Sequence, residues 1–314
     1  MKLIKINTLF YAFFVLTFFS CGTNKNIPNK SDITYSQFRS DQKSFKSSDG
    51  TLKYIDKGKG KVILLLHGVP TSSWLYRKMI DGLVNSGYRV IAPDMLGFGN
   101  SDNPKGYEIY NAKEHGKRIL ELMNSLKVKK WSHVTHDAGG LWTWELLKMD
   151  KKRIENLIIL NTIAYEEGFK PPIRMKKGFF SRASMWMYRN GITTNFLLKK
   201  LFKMGLNENN LSKIDIEGYK KPLLEGKTKG MYYFFSKTCY ALPDNNKLIK
   251  SLDIPVTIIW GKNDEMLQIM PQKEKLKNAL NIDEKDIHII DAKHFIQEEK
   301  PQEINKIIIK FLKK

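Results

Sequence analysis

Asp137, Asp264 and His294 are residues of the types that together perform nucleophilic chemistry. A carboxylate is ionised at neutral pH and needs no base before it attacks an electrophile. A histidine can then take a proton from water, and a second carboxylate can orient its ring. Each residue alone has a plainer explanation. Asp137 could cap a helix, Asp264 lies in the turn-forming run Lys262-Asn263-Asp264, and His294 could be a core histidine.

What lends these residues weight is the set of elements that must position them. Ser132 to His136 is a β-rich run that stops at Asp137, after which Ala138, Gly139 and Gly140 lead into a helical segment. Thr135 and Gly139 stand two places either side of Asp137, where a tight strand-to-helix turn demands small residues. Val62–Leu66, Arg89–Asp94, Ile154–Leu160 and Ile254–Trp260 read as strands buried on both faces, Asp286–Ile290 as the last strand, and Thr51–Asp56 as a more exposed one. Helical segments fall between them, near 72–77, over 111–126 and through Met149, and an amphipathic helix closes the chain over 304–312. This alternation predicts an α/β fold with a doubly wound, mostly parallel sheet. From residue 162 to 248 it lapses into mixed Gly, Pro, aromatic and Lys segments with short helical pieces, which predicts an inserted helical cap. The core is then 49–161 and 249–314. Asp137, Asp264 and His294 all follow strands, and sites in parallel sheets form at the carboxyl edge.

Nucleophile, acid and histidine in that chain order form the arrangement of the α/β-hydrolase fold. His67-Gly68-Val69-Pro70 follows the first buried strand, and the run from His67 to Arg77, with Val90 to Asp102, resembles the haloalkane dehalogenase and epoxide hydrolase branch of that superfamily. His136-Asp137-Ala138-Gly139-Gly140 is similar to the branch's elbow. The resemblance implies an ester of Asp137 as a covalent intermediate, hydrolysed by water that His294, held by Asp264, activates. The backbone N–H groups of Ala138 and Val69 would form the oxyanion hole. It implies no cofactor, a small apolar electrophile as substrate, and a dehalogenase-like activity, with epoxide hydrolysis as the alternative. A non-catalytic binder on the same fold is a further reading.

The pattern departs from the branch at the leaving group. Dehalogenases hold the departing halide with side-chain N–H donors, but Ala138 and Val69 occupy the two loop positions concerned. Trp186 in the cap is the one remaining candidate donor for the substrate pocket. Ring opening of an epoxide needs an acid, for which Tyr188, Tyr219, Tyr232, Tyr233 and Tyr240 are candidates. Asn161 cannot serve as the acid of the triad. His67 and His136 are expected to shape their loops, and His115, His133 and His288 to be structural.

Lys2 and Lys5, the apolar run from Leu9 to Phe19, and Ser20 before Cys21 read as a signal peptide over 1–20 with lipidation of Cys21. Residues 21–48 are then a flexible tether, and the chain a lipoprotein of a bacterial cell envelope, bound to the membrane by its lipid. The only other cysteine, Cys239, leaves no disulfide, and no metal-ligand spacing occurs. A net charge of +21 raises nucleic acid as a partner, but only 8 of 53 basic residues are Arg and no recognition motif accompanies them. Nucleic acid is therefore excluded, and an anionic membrane surface suits the charge better.

Overall fold

The computed structural model describes residues 33–314. The proposed signal peptide and Cys21 lie outside the described residues. The part of the expected tether inside them is folded, which moves the start of the core from 49 back to 33. Helix α1 (Tyr35–Ser40) opens on a capping box between Thr34 and Gln37, and it buries Tyr35 and Phe38 edge-on against Trp74. Strand β1 (Lys43–Lys46) pairs antiparallel with β2 (Thr51–Lys57). Two aromatics three apart on a short helix suffice to dock a stretch whose composition reads as tether.

The sheet has eight strands in the order β1-β2-β4-β3-β5-β6-β7-β8. It continues with β3 (Val62–Leu66), β4 (Arg89–Asp94), β5 (Trp131–Asp137), β6 (Ile154–Thr162), β7 (Val256–Gly261) and β8 (Ile287–Ile290). β2 runs antiparallel to β1 and β4, and every other pairing is parallel. All seven residues of β5 are buried, as its central place requires. The crossovers are α2 (Arg77–Asn85), α3 (Ala112–Ser125) and α4 (Gly139–Asp150). Between β6 and β7 lie α5 (Phe179–Met187), α6 (Gly191–Gly205), α7 (Lys213–Leu224), α8 (Lys229–Ser236) and α9 (Asn246–Lys250), so the segment read as a cap is built of helices. α10 (Lys273–Leu280) precedes β8, and α11 (Ile296–Glu299) and α12 (Pro301–Leu312) close the chain.

A buried ionic cluster fastens the cap to the core. Arg77, at the start of α2, donates to Asp215 of α7 at 2.5 Å and to both carboxylate oxygens of Glu298 in α11, at 2.5 and 2.8 Å. Its guanidinium also lies over the Trp74 ring, 4.4 Å from the centroid. Tyr219 of α7 donates to Glu298, and Lys78 pairs with it at 2.9 Å. Burial would push the Glu298 carboxyl up, but the Arg77 charge and hydrogen bond, with Lys78 and Tyr219, together outweigh it and the group lies below its ordinary range.

Candidate active site

Asp137 stands at the end of β5 with φ of +51°, a left-handed conformation that only a few non-glycine residues adopt, Asp among them. The turn presents its carboxylate above the carboxyl edge of the sheet, and close packing leaves no room for larger neighbours. A Cβ on Gly68 would lie 2.4 Å from Asp137 Oδ2, and one on Gly139 would lie 2.6 Å from the carbonyl oxygen of His67. The backbone N–H of Val69 donates to Asp137 Oδ2 at 2.8 Å, and the backbone N–H of Ala138 also donates to this carboxylate. Both residues expected to supply backbone donors thus lie beside Asp137. Burial raises the Asp137 pKa; His294 and the two N–H donors oppose this without reversing it.

His294 lies in the loop between β8 and α11, and Asp264 in the loop after β7. His294 Nδ1 donates to Asp264 Oδ2 at 2.9 Å, leaving Nε2 3.7 Å from Asp137 Oδ1. A carboxylate only accepts, so the proton sits on Nδ1 and the Nε2 lone pair faces Asp137. Burial alone would lower the His294 pKa, but the Asp264 charge and hydrogen bond, with Asp137 behind them, raise it above its ordinary value. Asp264 is saturated with donors: Oδ1 accepts from the N–H groups of Met266 and Leu267, both at 2.9 Å, and Oδ2 accepts a 2.6 Å bond from Asn161.

Asn161 is the contributor that the sequence did not disclose. Its φ is +30°, its Oδ1 accepts from Gly261 N–H at 3.1 Å, and its Nδ2 spans Asp264 and the Lys293 carbonyl. It holds the loops carrying the acid and the histidine to the end of β6. Its place after a buried strand, opposite β7, was the available signal. His136 Nε2 donates to the His294 carbonyl at 3.0 Å, and His67 donates from Nδ1 to Gly68 and accepts at Nε2 from Met95. Both are buried, which depresses their pKa values, that of His67 to about 4. They serve as neutral loop pins, as expected.

Above Asp137 is a cavity of about 30 Å³ lined by Val69, Pro70, Phe234, Phe235, Leu267 and His294, among others. A second chamber of about 130 Å³ shares Pro70, Pro172, Leu201 and Phe235 as its wall and adds Tyr188, Phe196 and Met231. A larger cleft of about 540 Å³ lies elsewhere, beside Asp215 and Glu298. Those two carboxylates are already paired with Arg77, and the lining of the cleft includes no histidine. Trp186 does not reach the Asp137 cavity: it is 67% exposed on α5, and neither chamber includes it in its lining. That corrects its assignment as a pocket donor; α5 turns Met185 inward and this indole outward. Of the five candidate tyrosines, Tyr188 alone lines either chamber. Tyr219, Tyr232 and Tyr233 bond to Glu298, Gly178 and Glu108, and Tyr240 is half exposed. Among the described residues, no cluster of side chains could hold a metal.

An eight-stranded α/β sheet with an acid, a histidine and a carboxylate at its carboxyl edge defines the class. The chain belongs to the α/β-hydrolase fold family, whose model matches residues 61–301. It is 29% identical over 272 residues to haloalkane dehalogenase 2 of Mycobacterium bovis, covering 84% of this chain and 92% of that protein. It is 26% identical over 296 residues to epoxide hydrolase 3 of Xenopus tropicalis, covering 85% of this chain and 76% of that one. The crystal structure of an α/β-hydrolase fold protein from Burkholderia ambifaria superposes with a TM-score of 0.69 at 19% identity, over 85% of this chain and 97% of that one. The resemblance read from the loops is thus borne out for the superfamily and for this branch.

Proposed function

We propose that the protein is a hydrolase that opens small apolar electrophiles through an ester of Asp137, in the manner of a haloalkane dehalogenase. The observation that carries this reading is the split environment of the Asp137 carboxylate. Oδ2 is held by Val69 N–H, whereas Oδ1 faces His294 Nε2 across 3.7 Å. Oδ1 attacks an sp³ carbon, forming a C–O bond as the bond to the leaving group breaks and its electron pair departs with that group. Oδ2 becomes the ester carbonyl oxygen. His294 Nε2 next removes a proton from water, and the hydroxide adds to Asp137 Cγ. The charge that develops on Oδ2 meets N–H donors already in place. Collapse of this adduct expels the alkoxide, which takes the proton back from His294.

A second reading, epoxide hydrolysis, is favoured by Tyr188. Its hydroxyl belongs to the only cap tyrosine lining a chamber, and the lining beside Asp137 offers a halide no side-chain N–H except that of the base. An epoxide oxygen could take its proton from Tyr188, whereas a desolvated halide would lack partners.

The lipid anchor on Cys21 and residence in the cell envelope belong to the same proposal, supported by the leader's residue pattern. Labelled fatty acid should be incorporated by the chain in a bacterial host, but not by Cys21→Ser.

The test of activity is turnover of a panel of haloalkanes and epoxides, read as halide or diol release. The native chain should turn over at least one class, and Asp137→Ala should release nothing. Turnover surviving in Asp137→Ala would overturn the reading.

A further inference from the structure

The described residues carry an apolar surface for which the hydrolase core has no use. On α5, Phe179, Phe180, Trp186 and Met187 are exposed by 73%, 87%, 67% and 46%. On α6, Ile192 and Phe196 are exposed by 82% and 69%. The spacings 179, 183, 186 and 192, 196, 199, 203 put exposed positions on one stripe of each helix, while Met185 and the row Thr194, Leu198, Phe202 face inward. The two helices are joined by only residues 188–190, and Thr193 and Thr194 tie that turn down by donating to the carbonyls of Met187 and Tyr188.

The charge along this stretch of the chain is of one sign. From residue 168 to 207 there are nine Lys and Arg and no Asp or Glu. All nine are exposed, and none forms an ion pair among the described residues. Large aromatics set among unpaired cations suit the boundary between lipid head groups and acyl chains. A second copy of the chain is a poor occupant, because two such faces would repel.

We propose that the α5–α6 face of the cap seats on an anionic lipid bilayer, with Phe180, Trp186, Ile192 and Phe196 entering the acyl boundary. Phe196 and Lys200 also line the second chamber, which shares a wall with the Asp137 cavity. The α6 part of the face therefore borders this chamber, so an apolar substrate dissolved in the membrane would enter beside it, a corollary that rests on the proposed hydrolase reading. The docking itself requires neither turnover nor the anchor at Cys21.

The test uses the full chain and the fluorescence of its tryptophans. Five of the six are buried, at 4% exposure or less, so a change on adding lipid reports Trp186. Phosphatidylglycerol vesicles with brominated acyl chains should shift the emission to the blue and quench it, phosphatidylcholine vesicles should do so far more weakly, and high salt should reverse the effect. Trp186→Phe should bind with no such signal. Lys176→Glu with Lys199→Glu should weaken the quenching titration by roughly tenfold or more. Phe180→Ser with Phe196→Ser, two exposed positions that leave the core intact, should abolish the signal while the circular dichroism is unchanged. If the chain floats with vesicles while Trp186 keeps its emission in solution, only the N-terminal segment binds and the proposal fails. Equal quenching by both lipids, or a blue shift that grows with protein concentration without lipid, would also overturn it. Because this signal needs no substrate, its loss is distinguishable from failure of the hydrolase reading.

Discussion

His294 Nδ1 donates to Asp264 Oδ2 at 2.9 Å, while Nε2 of the same ring stands 3.7 Å from Asp137 Oδ1. The ring therefore couples two carboxylates, one that fixes its tautomer and one that it serves. Because His294 must be neutral to take a proton, kcat should rise with pH along a limb set above the ordinary histidine value, the direction in which its surroundings move it. Asp264→Asn should lower kcat by roughly 10³- to 10⁴-fold and move the limb to lower pH. A pH–rate profile measures both, and a limb that stays in place in the variant would contradict the coupling.

The Asp137 carboxylate is held in a state that costs stability. An acid whose pKa is raised on folding destabilises the native state as pH climbs above the unfolded value, the reverse of the usual carboxylate. Asp137→Asn removes that charge, and Asn tolerates the positive φ. It should raise Tm at neutral pH by roughly 2–4 °C while abolishing turnover. The gain should shrink as pH falls through the raised pKa of the native carboxyl and be gone by about pH 4, the ordinary value, where folded and unfolded chains are both protonated. Calorimetry at the two pH values decides this, and an equal or larger gain at low pH would refute it.

Gly68→Ala should inactivate the enzyme without unfolding it. The added methyl would stand 2.4 Å from Asp137 Oδ2, so the carboxylate must leave the Val69 donor. A displacement of about 1 Å costs roughly 10²-fold in rate. Steady-state kinetics beside a thermal melt separates this from general damage.

Arg77→Met should destabilise the fold by about 3–5 kcal/mol, because Asp215 and Glu298 would be left buried with only Lys78 as a cation. Urea unfolding reads it. A loss below about 1 kcal/mol would show that the cluster rearranges.

A chain starting at residue 49 should be less stable than one starting at 33 by more than about 3 kcal/mol, the worth of burying Tyr35 and Phe38. It also loses Gln42, which donates to Asp94 at 2.8 Å. Comparison of the two urea midpoints checks this.

Most of the sheet was legible because continuous apolar runs bounded by Gly, Pro and Asp leave little choice but buried strands. Asp137, Asp264 and His294 were legible for a related reason: each follows a run that reads as a strand. The segment over 33–48 was not, because its polar composition hides two aromatics whose partner, Trp74, lies far along the chain. Asn161 was missed because its contribution is hydrogen bonding across two loops, which spacing along the chain does not encode. Trp186 was misplaced since an indole in a cap segment reads equally well as a pocket donor or as a surface residue. Only the helix phase, with Met185 inward, decides between them.

The most direct measurement is to trap the ester. His294→Gln should leave attack by Asp137 intact and block hydrolysis. The full-length variant, incubated with the haloalkane and epoxide panel and digested, should yield the peptide containing Asp137 with added mass. That mass should equal substrate minus hydrogen halide, or a whole epoxide, and so name the leaving-group class. A folded variant that gains no mass on this peptide from any substrate the native chain turns over would contradict the aspartyl-ester mechanism.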